Sequence, residues 1–180
     1  AGNISAGKYN DGSPPVRDIL AGRIYDGMVA SEATLQPAPI GQIGWRTVEV
    51  LPPPGAQYTI ADLEAQIADP KNAVANRNRP SYTLTWLRRA EKKTPIVLSA
   101  LAIDGISLLH LPAECFIEYQ IRAQSLTPDR FVATAAYGDG GPWYIPVKEE
   151  YPNGGYEVSV AFCDPEVDPI LTEGMKTLLG

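Results

Sequence analysis

The chain has 180 residues, 44% of them apolar and 20% charged, with a formal net charge of −6. That size and composition suit one domain, 1–180, with its own core. The acidic balance argues against a nucleic-acid partner, which needs a basic face, and the longest apolar run, Pro95 to Ile103, is too short to span a bilayer.

The opening, AGNISAGKYNDG, reads as loop, and without an initiator Met it reads as an internal segment of something longer. Val16, Leu20, Ile24 and Met28 recur at i+4. They predict a helix entered through Asp11 and Ser13, with Pro14 and Pro15 near its first turn, fading near Ser31. WRTVEVLPP (45–53) is β-branched and alternates Val48 and Val50 with charge, which predicts a strand ending at Pro52. In YTIADLEAQIADP (58–70), Thr59 and Asp62 resemble a capping box ahead of an apolar stripe of Ile60, Leu63 and Ile67. Residues 70–79 are polar and read as loop or frayed helix, so the next helix is expected to start at Pro80 and to end on a basic turn.

PIVLSALAIDGISLLHLP (95–112) predicts a hairpin on Asp104-Gly105 with a type I′ turn. Its apolar runs are nearly continuous, so both strands are expected to be covered on both faces. A helix follows in PAECFIEYQIRAQSL (112–126), then a strand in RFVATAAY (130–137). WYIPVKEEYPNGGYE (143–157) sets three tyrosines in a loop-like stretch broken at 152–155. YEVSVAF (156–162) predicts a short strand. DPILTEGMKTLLG (168–180) closes as a helix with Ile170, Leu171, Met175 and Leu178 on one face. The expected fold class is α/β, a layered mixed sheet with flanking helices.

Three places could hold chemistry. Glu114 lies where the hairpin's second strand gives way to a helix, a common place for ligand groups, although a carboxylate there also suits a helix N-terminus. Tyr144 and Tyr156 could pack at the core edge with bonded hydroxyls. Ser5, between Gly2 and Gly7, suits a tight turn as well as a nucleophile. The one histidine, His110, reads as a buried strand residue, so no His-rich metal site can be built from this chain alone. Cys115 and Cys163 read as free, buried thiols, with a disulfide as the alternative. KYNDGS lacks the spacing of a calcium loop.

Together these segments resemble the neutral/alkaline ceramidase family, zinc-dependent amidases that cleave the N-acyl bond of ceramide. GNIS (2–5) resembles the family's Gly-Asp-Val-Ser segment, LPAE (111–114) its Leu-Pro-Gly-Glu, and YIPVKEEY with GGYE its tyrosine segment. The resemblance implies Ser5 as catalytic serine, Glu114 and Tyr144 as zinc ligands, and Tyr156 as the residue contacting the substrate amide oxygen. It implies a zinc cofactor, an N-acyl lipid or other amide substrate with access at a membrane surface, and a secreted or periplasmic setting. It also implies that the chain is part of a larger catalytic domain: the family's zinc-binding histidines lie upstream, so another segment must supply them. Asn3, Ala113 and the stretch Gly141-Pro142-Trp143 depart from the family pattern. A related hydrolase on a different amide or ester, or a non-catalytic binding domain, is the alternative.

Overall fold

The computed structural model describes residues 2–138 and 141–180. Two compact units are present, Ile4–Gly41 and a larger one of Ala1–Asn3 with Gln42–Gly180.

The smaller unit holds a 3₁₀ turn, Ala6–Tyr9, and helix α1, Pro14–Glu32. Two prolines sit in the first turn of α1, where their missing N–H groups cost nothing. The predicted apolar stripe is present but not buried: Ile24 and Met28 are each 66% exposed.

The larger unit is built on a mixed four-stranded sheet ordered β1-β2-β3-β5. Strand β2 (Ile96–Ile103) pairs antiparallel with both β1 (Ile43–Val50) and β3 (Ile106–Pro112), and β5 (Phe131–Gly138) lies parallel to β3. A separate parallel pair joins β4 (Glu114–Cys115) to β6 (Tyr144–Ile145). Helices α2 (Ile60–Ala68), α3 (Val74–Glu91), α4 (Ile117–Leu126), α5 (Tyr156–Ser159) and α6 (Val167–Leu179) complete the unit. This is the layered mixed sheet with flanking helices that the sequence pattern predicts.

The core lies between one sheet face and helices α4 and α6. Leu98, Leu109 and Leu171 are fully buried there with Met175 and Tyr119. Each such side chain contributes about 1.5–3 kcal/mol. Gly174 lets α6 approach closely, since a Cβ there would come within 2.7 Å of Leu98 Cδ1. Thr59 caps α2 by accepting from Asp62 N, as the capping-box pattern predicts.

Five expectations are corrected. The hairpin strands are covered on one face only: β2 and β3 alternate, and Val97, Ile106 and Leu108 remain exposed because the described helices pack on the opposite side. Across that outer face run Trp45, Leu101, Leu108 and Ala133 in one register row. The Asp104-Gly105 turn is not type I′, which needs two left-handed residues; only Asp104 (φ 49°) is one. Pro80 lies inside α3 rather than at its start, buried in the same helix as Leu84, Trp86 and Leu87, whose packing offsets the lost N–H. The helix expected from 112 begins only at Ile117, because Glu114 and Cys115 are drawn into β4. YEVSVAF is no strand: left-handed Gly154 (φ 71°) and Gly155 (φ 94°) turn the chain into the single helical turn α5. Its apolar alternation reflects burial of Val160 and Phe162, and its neighbour Cys163 makes only an isolated bridge to Pro54.

Candidate active site

Glu114 and Tyr144 are direct register partners across the β4–β6 pair. The pairing is fixed by backbone. Glu114 N donates to Trp143 O at 2.9 Å, and Phe116 N to Ile145 O at 3.1 Å. On the same small sheet, Gly2 N donates to Cys115 O at 2.9 Å. Only glycine fits at position 2, since a Cβ there would lie 2.5 Å from Glu114 O and 3.2 Å from Tyr144 Cδ1. Asn3 then caps α4 from a distance: its Oδ1 accepts from Ile117 N at 2.9 Å, and its Nδ2 donates to the Glu118 carboxylate at 2.9 Å. Glu114 therefore does not serve as a helix N-terminal charge; that position is held by Asn3 and Glu118.

Tyr156 joins this pair. The bend at 152–155 returns the chain so that the Tyr144 and Tyr156 rings meet edge to face, centroids 6.0 Å apart. Tyr151 takes the packing role, its hydroxyl donating to Cys163 O at 3.2 Å. Loss of hydration, then the negative charge of Glu114, pushes the Tyr144 phenol above the usual tyrosine range. A phenol and a carboxylate side by side cannot both ionise cheaply unless a cation sits between them.

Tyr137, which nothing in the local sequence marks, is the residue missed. At the end of β5 its hydroxyl donates to Glu114 Oε2 across a long 3.4 Å. Reduced hydration, followed by the charge of Glu114, raises its phenol as well. Tyr137 (φ 62°), Ala113 (φ 54°) and Trp143 (φ 69°) are all left-handed non-glycine residues. Each such conformation costs roughly 1–2 kcal/mol, and all three border Glu114. Tyr137 N donates to Ala113 O at 2.9 Å, and a Cβ on Gly141 would lie 2.8 Å from Ala113 Cβ. Strain of this kind collects where a surrounding structure must aim particular side chains.

The other candidates take no part in this ladder. Ser5, in the smaller unit, precedes the 3₁₀ turn with extended backbone, is exposed, and makes no capping bond. His110 is half-buried on the outer sheet face, its Nδ1 3.4 Å from Ser99 Oγ and its ring against Trp45. Cys115 and Cys163 are both buried and form no disulfide; Cys115 Sγ donates to Pro112 O at 3.0 Å. Among the described residues no group of three or more His, Cys, Asp or Glu could hold a metal. Glu114 and Tyr144 set two oxygen-bearing side chains on neighbouring strands.

No protein-family model and no curated protein matches the chain. Among solved structures, the neutral ceramidase from Pseudomonas aeruginosa aligns over 83% of this chain at 15% identity, with a TM-score of 0.54. The fold resembles part of a neutral ceramidase. The chain spans 29% of the length of that neutral ceramidase. A ceramidase complexed with C2 aligns over 48% of this chain and 14% of its own at 19% identity, with a TM-score of 0.43, too low to argue from. Among the described residues no helix is long and apolar enough to cross a membrane.

Proposed function

We propose that this chain is the portion of a zinc-dependent amidase that carries Glu114, Tyr144 and Tyr156, acting on the N-acyl bond of ceramide or a related N-acyl lipid in a secreted or periplasmic setting. The observation that carries the reading is the register pairing of Glu114 with Tyr144, with the Tyr156 ring against it, on a ceramidase-like fold.

In this reading Glu114 and Tyr144 hold zinc, and an upstream segment supplies the histidines that complete its shell. When bound, zinc polarises the amide carbonyl or lowers the pKa of a bound water to about 7. Glu114 binds as a carboxylate and Tyr144 as phenol or phenolate, the cation favouring the anion. Tyr156 donates its hydroxyl hydrogen to the oxygen on which charge develops. Ser5 acts as nucleophile or as a second polar stabiliser. Tyr137 orients Glu114 through its free carboxylate oxygen.

Zinc content and amidase activity of the longer protein, wild type against Glu114→Ala, test the proposal; full zinc and full activity in the variant would overturn it. A different amide or ester substrate is favoured by the bulk of Trp143, which packs against Tyr82 and Phe162 next to the site strand. A panel of N-acyl substrates separates the two, with preference for long-chain ceramide rejecting the second.

A further inference from the structure

Residues 145–155 join Tyr144 to Tyr156, and the two halves of that connection are held differently. The second half is open. Gly154 and Gly155 are left-handed, and a Cβ on either would meet nothing within 4 Å. Tyr156 itself is 57% exposed. Packing within the bend cannot by itself fix where Tyr156 stands.

The first half is tied to the core. Pro146 O accepts from the buried Tyr119 hydroxyl at 3.2 Å, and Lys148 N donates to Asp168 Oδ2 at 2.8 Å. Lys148 opens the 3₁₀ turn Lys148–Asn153, whose N-cap residue, Val147, has no side-chain oxygen to cap it. Asp168 takes that place from a distance. It lies in the first turn of α6, yet its Oδ2 serves this other element. Asp168 is only 4% exposed. A carboxylate that deep stays charged only where partners replace water. Its Oδ1 accepts from Arg122 Nη1 and, at 3.3 Å, from Thr172 Oγ1. Arg122 Nη1 also donates to Thr172 Oγ1 at 2.6 Å, and its guanidinium lies over the Tyr119 ring, 5.4 Å from the centroid. Two residues of α4 and two of α6 thus converge on Pro146 and Lys148.

We propose that Asp168 is a positioning residue: by holding Lys148 N it fixes the start of the turn that returns the chain to the Tyr144 ring, and so sets where Tyr156 stands. The value of that placement to catalysis rests on the amidase reading; the placement itself does not.

Lys148→Pro in the longer protein tests it. The change removes the N–H at a first-turn position that proline tolerates, after a Val147 already extended (φ −74°, ψ 155°) as a residue before proline prefers to be. It leaves Asp168 paired with Arg122. Lys148→Ala is the control, removing the side chain with its ion pair to Glu166 and keeping the N–H. Hydrogen exchange of peptides covering 152–159 is expected to be about tenfold faster in Lys148→Pro than in Lys148→Ala, as for the loss of one hydrogen bond to a carboxylate. The kcat should fall by a similar factor at unchanged KM. Asp168→Ala should match Lys148→Pro, and the double variant should be no worse than either, because both remove the same bond. Equal exchange in Lys148→Pro and Lys148→Ala, or additive effects in the double variant, would overturn the anchoring. Faster exchange with unchanged kcat would overturn the positioning role. Exchange is read without turnover, so a wild-type protein that cleaves no amide would count against the amidase reading and leave exchange to decide the anchoring.

Discussion

Glu114 and Tyr144 face each other across a two-residue parallel ladder, so backbone rather than side-chain flexibility sets their separation. Parallel pairing over so short a stretch is weak alone, and here Gly2 adds a further backbone hydrogen bond to β4. The arrangement separates the roles of the two tyrosines. Tyr144→Phe is expected to lower bound zinc in the longer protein. Tyr156→Phe is expected to leave zinc in place and lower kcat by roughly 10²–10³-fold, the loss typical of one oxyanion donor. Metal analysis beside steady-state kinetics checks this; equal zinc loss in both variants would contradict the division.

Ala113 and Gly141 are expected to be energetically coupled. Ala113→Gly removes a left-handed alanine and should stabilise the protein by about 1 kcal/mol. Gly141→Ala should destabilise it, because the new Cβ meets Ala113 Cβ at 2.8 Å. In the double variant part of that loss should be recovered, with an interaction energy of about 0.5–3 kcal/mol. Urea unfolding of the four proteins measures the cycle; strict additivity would show that the contact relaxes without cost.

Asn3 is both cap and donor, so a carboxylate in its place keeps only the first role. Asn3→Asp keeps the acceptor for Ile117 N but sets a negative charge against Glu118, whose carboxylate Asn3 now satisfies. A loss of about 1 kcal/mol at neutral pH is expected, recovered when Glu118→Gln is added. Thermal unfolding of the single and double variants reads this directly.

Stability should fall on the alkaline side. Burial pushes the Cys115 thiol from an ordinary 9.0 up to about 12 and raises the Cys163 thiol too. Burial likewise raises the Tyr119 and Tyr151 phenols from their ordinary 10.0. All four folded values lie above the unfolded ones, so the folded state holds the extra protons. Their contribution is complete below pH 9 and is lost as pH rises toward the folded values, at about 1.4 kcal/mol per pH unit for each thiol once its unfolded form ionises. Urea midpoints at pH 7, 9 and 10.5 follow it, and Cys115→Ala should flatten the slope. A midpoint constant to pH 10.5 would refute it.

Much of the sheet was legible in the residues. The apolar runs on either side of Asp104-Gly105 and the run in RFVATAAY signal β2, β3 and β5 because strands need little beyond local pattern and a turn. The capping of α2 was legible for the same local reason. What escaped is non-local. Burial on one face of β2 depends on where α4 and α6 pack, which apolar continuity does not encode. The contact of Tyr137 with Glu114 depends on a left-handed kink at the strand's end, at a residue type that gives no sign of it. Tyr144 and Tyr156 stood out through their setting among prolines and glycines, but the pairing of Tyr144 with Glu114 requires the β4–β6 ladder, too short for any periodicity to reveal.

The distant cap on α4 also bears on the order in which the molecule folds. Asn3 reaches Ile117 across 114 residues of chain, and closing so long a loop is entropically dear before other contacts hold it. The hairpin β2–β3, closed through two residues, needs little loop entropy and can form early. The ladder around Glu114 can be completed only after the sheet has brought the two distant stretches together. The proposed site thus sits on the last part of the structure to assemble, and a partly folded chain presents a sheet without that ladder.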